Sequence, residues 1–193
     1  MKIVFATSNP NKIIELQRLI PSDMELLGLK DIGCTEDVPE EQDTIEGNAI
    51  QKARYVYENY LVNCFAEDTG LEIRALDGAP GVYSARYAGE QRNADDNMNL
   101  VLEQLKTHED RTARFKTVIA LILDGQLHTF EGVVNGEITY EKKGDGGFGY
   151  DPVFQPDGYD ATFGELPLSE KNKISHRARA TRKLLNFLSE ISH

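Results

Sequence analysis

The sequence predicts an α/β fold, and three observations support this class. Residues 2–7 form a short, apolar and β-branched run, which is typical of a buried parallel strand, and a helical pattern follows directly. Later stretches repeat apolar residues at helical spacing. Residues 113–140 hold two apolar runs separated by Asp124-Gly125, which indicates an antiparallel meander with a tight turn.

The composition is ordinary for a soluble globular protein. The chain has 193 residues, of which 40% are hydrophobic and 27% are charged. This length suits one large domain or two closely joined lobes, and we expect a single domain over residues 1–193. No apolar run approaches the roughly 20 residues of a membrane span, and the N-terminus lacks a signal-peptide pattern. Cys34 and Cys64 lie far apart without metal-site spacing, so we expect reduced thiols in a cytoplasmic protein.

The net charge of −11 narrows the classes of partner. Nucleic acids and anionic membranes are bound by basic surfaces, which this composition does not favour. A small anionic ligand is still compatible with the charge. It would be bound by a few placed cations, by backbone N–H groups or by a metal ion.

The segment after the first predicted strand has the arrangement of a phosphate-binding helix start. Residues 8–11 supply turn and cap residues, and the helix that follows is predicted to end at Pro21. Lys12 then lies in the first helical turn, where free N–H groups and the helix dipole attract phosphates. A capped helix with an incidental lysine explains this segment equally well, because the glycines of a Walker loop are absent.

A second amphipathic helix is predicted after the acidic, turn-rich residues 22–43, which contain Glu40. Asp43 and Glu46 have the spacing of a capping box at its start. Lys52 lies just off the apolar stripe of this helix. It either contributes to a binding site or is solvated, and solvation is the commoner outcome for a lysine.

Glu67 and Asp68 form the most informative pair of neighbours. Phe65-Ala66 precedes them and Thr69-Gly70 follows, so we predict a buried strand that ends in a tight turn carrying both acids. Burying an unpaired carboxylate costs on the order of several kcal/mol of folding free energy. Two carboxylates at a strand end therefore indicate a bound cation or a shared proton. A solvated turn is the alternative, because Asp, Thr and Gly are common turn residues.

The C-terminal half adds a third helix over residues 94–106, a second predicted turn at Asn135-Gly136, and two candidate ligand segments. The glycine-rich loop 143–152 has Phe148 and Tyr150 at its centre, which suits close approach and stacking of a flat base. The last helix is predicted to begin after Ser175, so cationic residues 176–177 oppose the helix dipole at its start. That placement favours a ligand-binding role.

Together these features predict a nucleoside polyphosphate site with one or two Mg²⁺ ions. Mg²⁺ is commonly held by one or two carboxylates together with substrate phosphates, and Glu40 and Asp68 supply such carboxylates. The helix start with Lys12 and the segment from Lys171 to Arg177 supply positive charge. No Ser-His-Asp or Cys-His pairing is evident, and four histidines make a zinc site improbable.

Six segments, in one order along the chain, carry a more specific similarity. They are residues 7–12, 44–53, 67–71, 78–87, 146–152 and 169–177. On these segments the sequence resembles the inosine/xanthosine triphosphate pyrophosphatases, which clear deaminated purine nucleotides from the precursor pool. The family's usual Asp-Asp-Ser-Gly is Glu-Asp-Thr-Gly here, its Glu-Asn-Ala has an inserted Gly47, and some relatives have Trp in place of Tyr150.

The resemblance implies a long mixed β-sheet with flanking helices, two lobes around a central nucleotide-binding cleft, and a homodimer. It implies that Glu40 and Asp68 serve the metal and that Asp68 is the catalytic base. It implies phosphate binding by the first turn and the lysines, and base binding among Phe148, Tyr150, Asp151, His176 and Arg177. The substrate-binding residues expected on this basis are Thr7, Ser8, Asn9, Pro10, Asn11, Lys12, Lys52, Thr69, Phe148, Gly149, Tyr150, Asp151, Lys171, His176 and Arg177.

The expected reaction is Mg²⁺-dependent hydrolysis of ITP, dITP and XTP to the monophosphate and pyrophosphate. Two alternatives remain at this point. A nucleotide-binding regulatory module would keep the phosphate and base loops but has little use for Glu40 and Asp68. A pyrophosphatase for other modified nucleotides would need a different base pocket from the one expected between Phe148 and Arg177.

Overall fold

The computed structural model describes residues 2–191. Within that range the chain divides into two compact units. The first unit comprises residues 2–68, 117–132 and 177–191, and the second comprises residues 69–116 and 133–176. The predicted cleft and the single-domain assignment stay predictions.

Five α-helices and seven strands make up the described fold. The helices are α1 (Pro10–Gln17), α2 (Ile45–Tyr60), α3 (Ala94–Gln104), α4 (Leu168–Ile174) and α5 (His176–Ile191). The strands are β1 (Lys2–Phe5), β2 (Glu25–Leu27), β3 (Cys64–Ile73), β4 (Pro80–Gly81), β5 (Thr112–Leu123), β6 (Gln126–Ile138) and β7 (Phe154–Pro156). Short 3₁₀ turns cover Leu29–Ile32, Arg74–Leu76, Ser84–Arg86 and Asp151–Val153.

The strands form one mixed sheet in the order β2-β1-β3-β5-β6-β7, with β4 paired to β3. Strand β1 is parallel to both β2 and β3, and Phe5 lies opposite Phe65. Strands β4 and β7 pair antiparallel with β3 and β6. The predicted α/β class and mixed sheet are therefore confirmed.

In the first unit, alternate residues of the strands face opposite layers of helices. Phe5 stacks on Phe65 at 4.6 Å between ring centroids, and both belong to a core with Leu16 of α1 and Leu184 of α5. On the other face, Cys64 donates its thiol to the backbone oxygen of Ala53 in α2 at 3.3 Å. Because side chains alternate along a strand, positions 65 and 67 face α1 and α5, and positions 64, 66 and 68 face α2.

The core of the second unit is aromatic. Phe115 of β5 lies edge-on to Phe154 at 4.6 Å and is stacked against the imidazole of His176 at 4.6 Å. Met98 and Val101 of α3 pack into the same core. Helix α3 confirms the helix that the apolar spacing predicts over residues 94–106.

The predicted hairpin is confirmed, but the second predicted turn is wrong. Asp124 and Gly125 both have positive φ, as a two-residue hairpin turn requires, and they join β5 to β6. Strand β6 continues through Asn135-Gly136 instead of turning. A Cβ on Gly136 would lie 2.2 Å from the backbone oxygen of Gln155, so this glycine permits close strand approach instead of a turn.

Two helix boundaries differ from the sequence-based expectation, and one helix was not expected. Helix α1 ends at Gln17, one turn before Pro21. Helix α2 is capped by Thr44, whose hydroxyl accepts the N–H of Gly47 at 2.9 Å, so the predicted Asp43–Glu46 capping box is wrong. Helix α5 begins at His176, directly after Ser175 as predicted, but Ser175 also ends α4, a helix that local patterns did not predict.

Across residues 2–191, the helices are either too short or too polar to cross a bilayer.

Candidate active site

The two adjacent carboxylates lie inside a strand, which corrects the prediction of a tight turn. Glu67 and Asp68 are the fourth and fifth residues of the ten-residue strand β3, and both are buried. Thr69-Gly70 continues the strand because β3 has paired neighbours on both sides. The strand alternation sends the two side chains into different surroundings.

Glu67 is the centre of a buried ion-pair network in the first unit. Its carboxylate accepts from Arg177 Nε at 2.9 Å and lies 3.2 Å from Lys12 Nζ. Arg177 also pairs with Glu15 of α1. The arginine is 1% exposed, so the carboxylates compensate its positive charge at the start of α5. That compensation is the physical reason a cation is tolerated where it opposes the helix dipole.

The network shifts the pKa values of its members. Burial alone would raise the pKa of Glu67, but Arg177 and Lys12 outweigh burial and lower it. Burial lowers the pKa of Lys12, and the charge of Glu67 opposes that shift. Glu67 is therefore an ionised counter-charge that keeps two cations in a buried position.

Asp68 faces helix α2 instead. Its Oδ2 accepts from Asn48 Nδ2 at 3.3 Å, and its Oδ1 lies 3.7 Å from Lys52 Nζ. Lys52 Nζ also lies 2.5 Å from Glu40 Oε1. One ammonium group therefore brings Glu40 and Asp68 together, and Lys52 is buried instead of solvated.

The pKa of Asp68 is raised above its ordinary value. Burial is the largest cause, and the nearby Glu40 carboxylate adds to it, whereas Lys52 and Lys12 act in the opposite direction. Two neighbouring carboxylates thus have pKa values shifted in opposite directions. Such divergence is how proteins assign one acid a structural role and another a proton-transfer role.

The turn before α1 is organised by its own side chains. Asn9 caps α1, with its Oδ1 accepting from the N–H groups of Asn11 at 3.0 Å and Lys12 at 3.5 Å. The hydroxyl of Thr7 accepts from Asn9 N–H at 3.2 Å, and Pro10 fills the first helical position. Ser8 and Asn11 are exposed. The turn is thus preformed at the carboxyl end of β1, where ligands of parallel sheets bind.

The donor set around Asp68 fits a magnesium ion. Glu40 and Asp68 offer carboxylate oxygens that already converge on one cationic group, and Mg²⁺ prefers such ligands with phosphate and water oxygens completing the shell. Around them lie three cationic side chains, Lys12, Lys52 and Arg177, against the four carboxylates of Glu15, Glu40, Glu67 and Asp68. Within residues 2–191, no group of three or more His, Cys, Asp or Glu side chains is arranged as a metal cage.

In the second unit, Asp151 and Lys171 form a buried pair that shapes the glycine-rich loop. Lys171 Nζ lies 2.6 Å from Asp151 Oδ2, and that oxygen also accepts from the N–H of Phe148 at 3.0 Å. The lysine ammonium lies 4.9 Å from the centroid of the Phe148 ring. A Cβ at Gly147 would lie 2.0 Å from Asp151 Oδ2, so glycine is required beside this carboxylate.

The other expected base-binding residues of this unit are placed as follows. Tyr150 is buried, and its hydroxyl donates to the backbone oxygen of Ser84 at 2.6 Å. Burial raises the pKa of that phenol. His176 is 3% exposed and packs on Phe115, Gly149 has a positive φ of 62°, and Thr69 is partly buried in β3.

Two polar residues of the first unit belong to the site although local sequence patterns do not indicate it. Glu15 looks like a solvent-facing acid of α1, yet it is 4% exposed and pairs with Arg177. Asn48 is 3% exposed and joins Gln42 N–H at 2.8 Å to Asp68. The signal for Asn48 was available, since a polar residue next to the apolar stripe of α2 is unusual unless it has a buried partner.

Comparisons with known proteins agree with the resemblance found in the six segments. A sequence model described as the Ham1 family matches residues 3–187. The dITP/XTP pyrophosphatase of Flavobacterium johnsoniae is 56% identical over 189 residues, covering 98% of each chain. That of Porphyromonas gingivalis is 52% identical over 188 residues, covering 97% of each chain.

Two solved structures have the same fold. The Ham1 protein of Staphylococcus aureus matches with a TM-score of 0.90 and 38% identity, and a HAM1 protein from Coxiella burnetii with 0.91 and 37%. Each comparison covers 98% of this chain and 99% of the other. The predicted family resemblance is confirmed.

Proposed function

This chain belongs to the Ham1 family, and from that premise we propose that it hydrolyses deaminated purine nucleoside triphosphates. The proposed substrates are ITP, dITP and XTP, and the products are the nucleoside monophosphate and pyrophosphate. Two relatives whose sequences are 56% identical to this chain carry the name dITP/XTP pyrophosphatase. The observation that carries the proposal is Asp68, a buried carboxylate that shares the ammonium of Lys52 with Glu40.

Asp68 is the proposed general base. It takes a proton from the water that attacks the α-phosphorus, while the bond to the β-phosphate breaks and pyrophosphate leaves. Asn48 holds Oδ2 of Asp68 by a hydrogen bond, and Oδ1, which lies 3.7 Å from Lys52 Nζ, is the oxygen proposed to take the proton.

Lys12 and Lys52 are the proposed partners of the phosphates. Charge develops on the leaving pyrophosphate, and positioned cations stabilise it in the transition state. Glu67 keeps the Lys12 ammonium in place, and Glu40 does the same for Lys52. A Mg²⁺ ion held by Glu40 and Asp68 would add Lewis-acid neutralisation of the phosphate oxygens.

Base recognition is proposed for Phe148, Tyr150, Asp151, His176 and Arg177. Hydrogen-bond donors would pair with the 6-carbonyl of inosine or xanthosine and stay unpaired against the 6-amine of adenosine. Each buried unpaired donor costs about 1–3 kcal/mol, which separates these substrates. Arg177 is already paired with Glu67 and Glu15. We therefore propose backbone N–H groups and His176, ahead of Arg177, as the donors to the 6-carbonyl.

We also propose a cytoplasmic location and a homodimer. The two cysteines, which are buried and not joined in a disulfide, support the first. The resemblance to the family supports the second.

A substrate panel tests the proposed function. Pyrophosphate release from ITP, dITP, XTP, GTP and ATP would be measured with Mg²⁺ and with chelator. Fast, Mg²⁺-dependent release from the deaminated purines alone is the expected result. Release of orthophosphate, or equal rates for all purines, would contradict it.

Asp68→Asn tests the assignment of the base. We expect kcat to fall by about 10²–10⁴-fold, because proton transfer is lost, while KM stays within about threefold. Asp43→Asn is the matched control, since it removes an exposed carboxylate from the same unit and should leave kcat unchanged. Near-normal turnover of Asp68→Asn would remove Asp68 from the mechanism.

A further inference from the structure

A short stretch of loop that carries Glu40 is attached to helix α2 by side chains outside the catalytic cluster. We call residues 36–42 the acidic segment. At its beginning, the carboxylate of Glu36 accepts from the hydroxyl of Tyr60 at 2.5 Å and from that of Tyr55 at 3.0 Å. These hydrogen bonds lower the pKa of Glu36 to about 2, with the bond from Tyr60 as the largest cause. The carboxylate therefore accepts both bonds over the whole neutral range.

The end of the acidic segment is attached to the same helix through its backbone. Gln51 Oε1 accepts from the N–H of Glu41 at 2.8 Å, and Asn48 Oδ1 accepts from the N–H of Gln42 at 2.8 Å. Between the two ends, Glu40 lies 2.5 Å from Lys52. The segment thus has a partner on α2 at both ends and in the middle.

The residues of α2 that bind the acidic segment follow the order of the segment in reverse. As the acidic segment runs from residue 36 to residue 42, its partners on α2 run back from Tyr60 to Asn48. Residues three to five apart on a helix lie on neighbouring turns, so the segment lies antiparallel along one side of α2. Asn48, at the last contact, also binds Asp68. One helix therefore fixes the positions of both Glu40 and Asp68.

The acidic segment also lies in a stretch of high negative charge. Residues 36–43 contain five carboxylates and no lysine or arginine. Glu40 and Asp68 both approach the Lys52 ammonium, at 2.5 and 3.7 Å, so two like-charged carboxylates are held close together. Lys52 attracts both carboxylates, and the hydrogen bonds at residues 36, 41 and 42 attach the segment further to α2. Without the hydrogen bonds at its two ends, the acidic segment could open away from α2 at little cost in free energy.

We propose that Tyr55, Tyr60 and Gln51 are positioning residues for the reaction, which hold the acidic segment on α2 and thereby keep Glu40 beside Asp68. The proposal rests on the proposed function, because it assigns Glu40 and Asp68 to the metal and the attacking water. None of the three positioning residues contacts substrate or metal in this scheme. They act through the segment they hold.

The first experiment measures attachment directly, in protein without metal or nucleotide. Hydrogen exchange of the Glu41 and Gln42 amides would be compared between wild type and the double variant Tyr55→Phe/Tyr60→Phe. We expect exchange at both amides to become about tenfold faster, since the segment opens locally once its beginning is released. Tyr57→Phe is the matched control, because it removes a hydroxyl from the same helix without removing either bond to Glu36.

The second experiment connects attachment to the reaction. For the double variant, the Mg²⁺ concentration giving half-maximal pyrophosphate release from ITP should rise about tenfold, while kcat at saturating Mg²⁺ stays within about twofold. Glu36→Ala should reproduce this pattern. Glu36→Gln keeps a side-chain oxygen that accepts from the tyrosines, so it should restore most of the wild-type behaviour and exclude a simple effect of charge.

Either of two results would overturn the proposal. Unchanged exchange at the Glu41 and Gln42 amides in the double variant would show that the tyrosines do not hold the segment. Faster exchange with an unchanged Mg²⁺ requirement would show that the attachment does not serve the reaction. If wild type releases no pyrophosphate, the proposed function fails separately, and the exchange comparison still decides whether α2 holds the segment.

Discussion

Glu67 and Asp68 follow each other in sequence, yet their pKa values shift in opposite directions. The strand alternation separates them, because Glu67 contacts the cations Lys12 and Arg177 while Asp68 contacts Asn48 and Lys52. The sequence predicted that a cation lies near these two acids. Which acid stays ionised depends on side chains contributed by other parts of the chain.

Removal of Arg177 should be strongly destabilising. Arg177→Met leaves Glu67 and Glu15 buried without this partner, so we expect the free energy of unfolding to fall by about 3–5 kcal/mol. Arg179→Met, an exposed change on the same helix, is the control and should stay within about 0.5 kcal/mol. Urea unfolding at pH 7 measures both. Equal effects of the two substitutions would contradict the buried network.

The thiol of Cys64 should make stability fall at alkaline pH. Burial raises its pKa to about 12 in the folded protein, while the unfolded thiol has a pKa of about 8.5. Because the folded pKa is the higher one, the contribution of the neutral thiol to the free energy of unfolding is complete below about pH 8.5. It is lost as the pH rises from that value toward about 12. The loss is about 1.4 kcal/mol per pH unit between these values.

Cys64→Ala isolates that contribution. The difference in unfolding free energy between wild type and this variant, measured by urea at pH 8 and pH 10, should fall by about 2 kcal/mol. Other groups that titrate in this range cancel in the difference. A difference that is constant with pH would show that the thiol is not shifted.

At the scale of elements, most helices and strands follow from local patterns, and the errors have identifiable causes. The Asp124-Gly125 turn was predictable because its positive φ values favour these residues. Asn135-Gly136 carries the same signal, but β7 pairs with β6 there and the strand continues. The turn expected after Asp68 is overridden in the same way by sheet neighbours of β3.

Gly47 gives a prediction at this scale. Replacing glycine in a helix by alanine usually stabilises by about 0.5–1 kcal/mol. Here a Cβ would lie 2.8 Å from Thr44 Oγ1 and 2.9 Å from Gln42 Cβ, so the cap and the preceding loop must move. We expect Gly47→Ala to destabilise by about 1–2 kcal/mol in thermal or urea unfolding. The neighbouring exposed change Glu46→Ala should be nearly neutral, and a stabilised Gly47→Ala protein would contradict this geometry.

At the scale of the whole molecule, neither unit is a continuous piece of chain. Strands β3, β5 and β6 each contribute residues to both units. If one of these strands unfolds in one unit, the same strand is disturbed in the other unit, because it is continuous between them. We expect the protein to unfold as one cooperative body.

Core truncations in each unit test this expectation. Leu16→Ala lies in the first unit and Leu71→Ala in the second, and both leucines are completely buried. Each should cost about 2–5 kcal/mol and shift one common calorimetric transition, with equal van't Hoff and calorimetric enthalpies. Two transitions, with only one moved by Leu16→Ala, would show independent units.

The class of fold, most of the elements, the family and the candidate residues follow from local patterns, because periodicity, turn residues and motifs act over a few positions. The pairing of the charges depends on contacts between distant parts of the chain. Arg177 meets Glu67 from 110 positions away and Glu15 from 162, and such contacts leave no local pattern. The structure likewise decided that Lys52 is buried and that Asn48 joins the acidic segment to Asp68. Burial and the charges of distant neighbours set a pKa, and both exist only once the chain has folded.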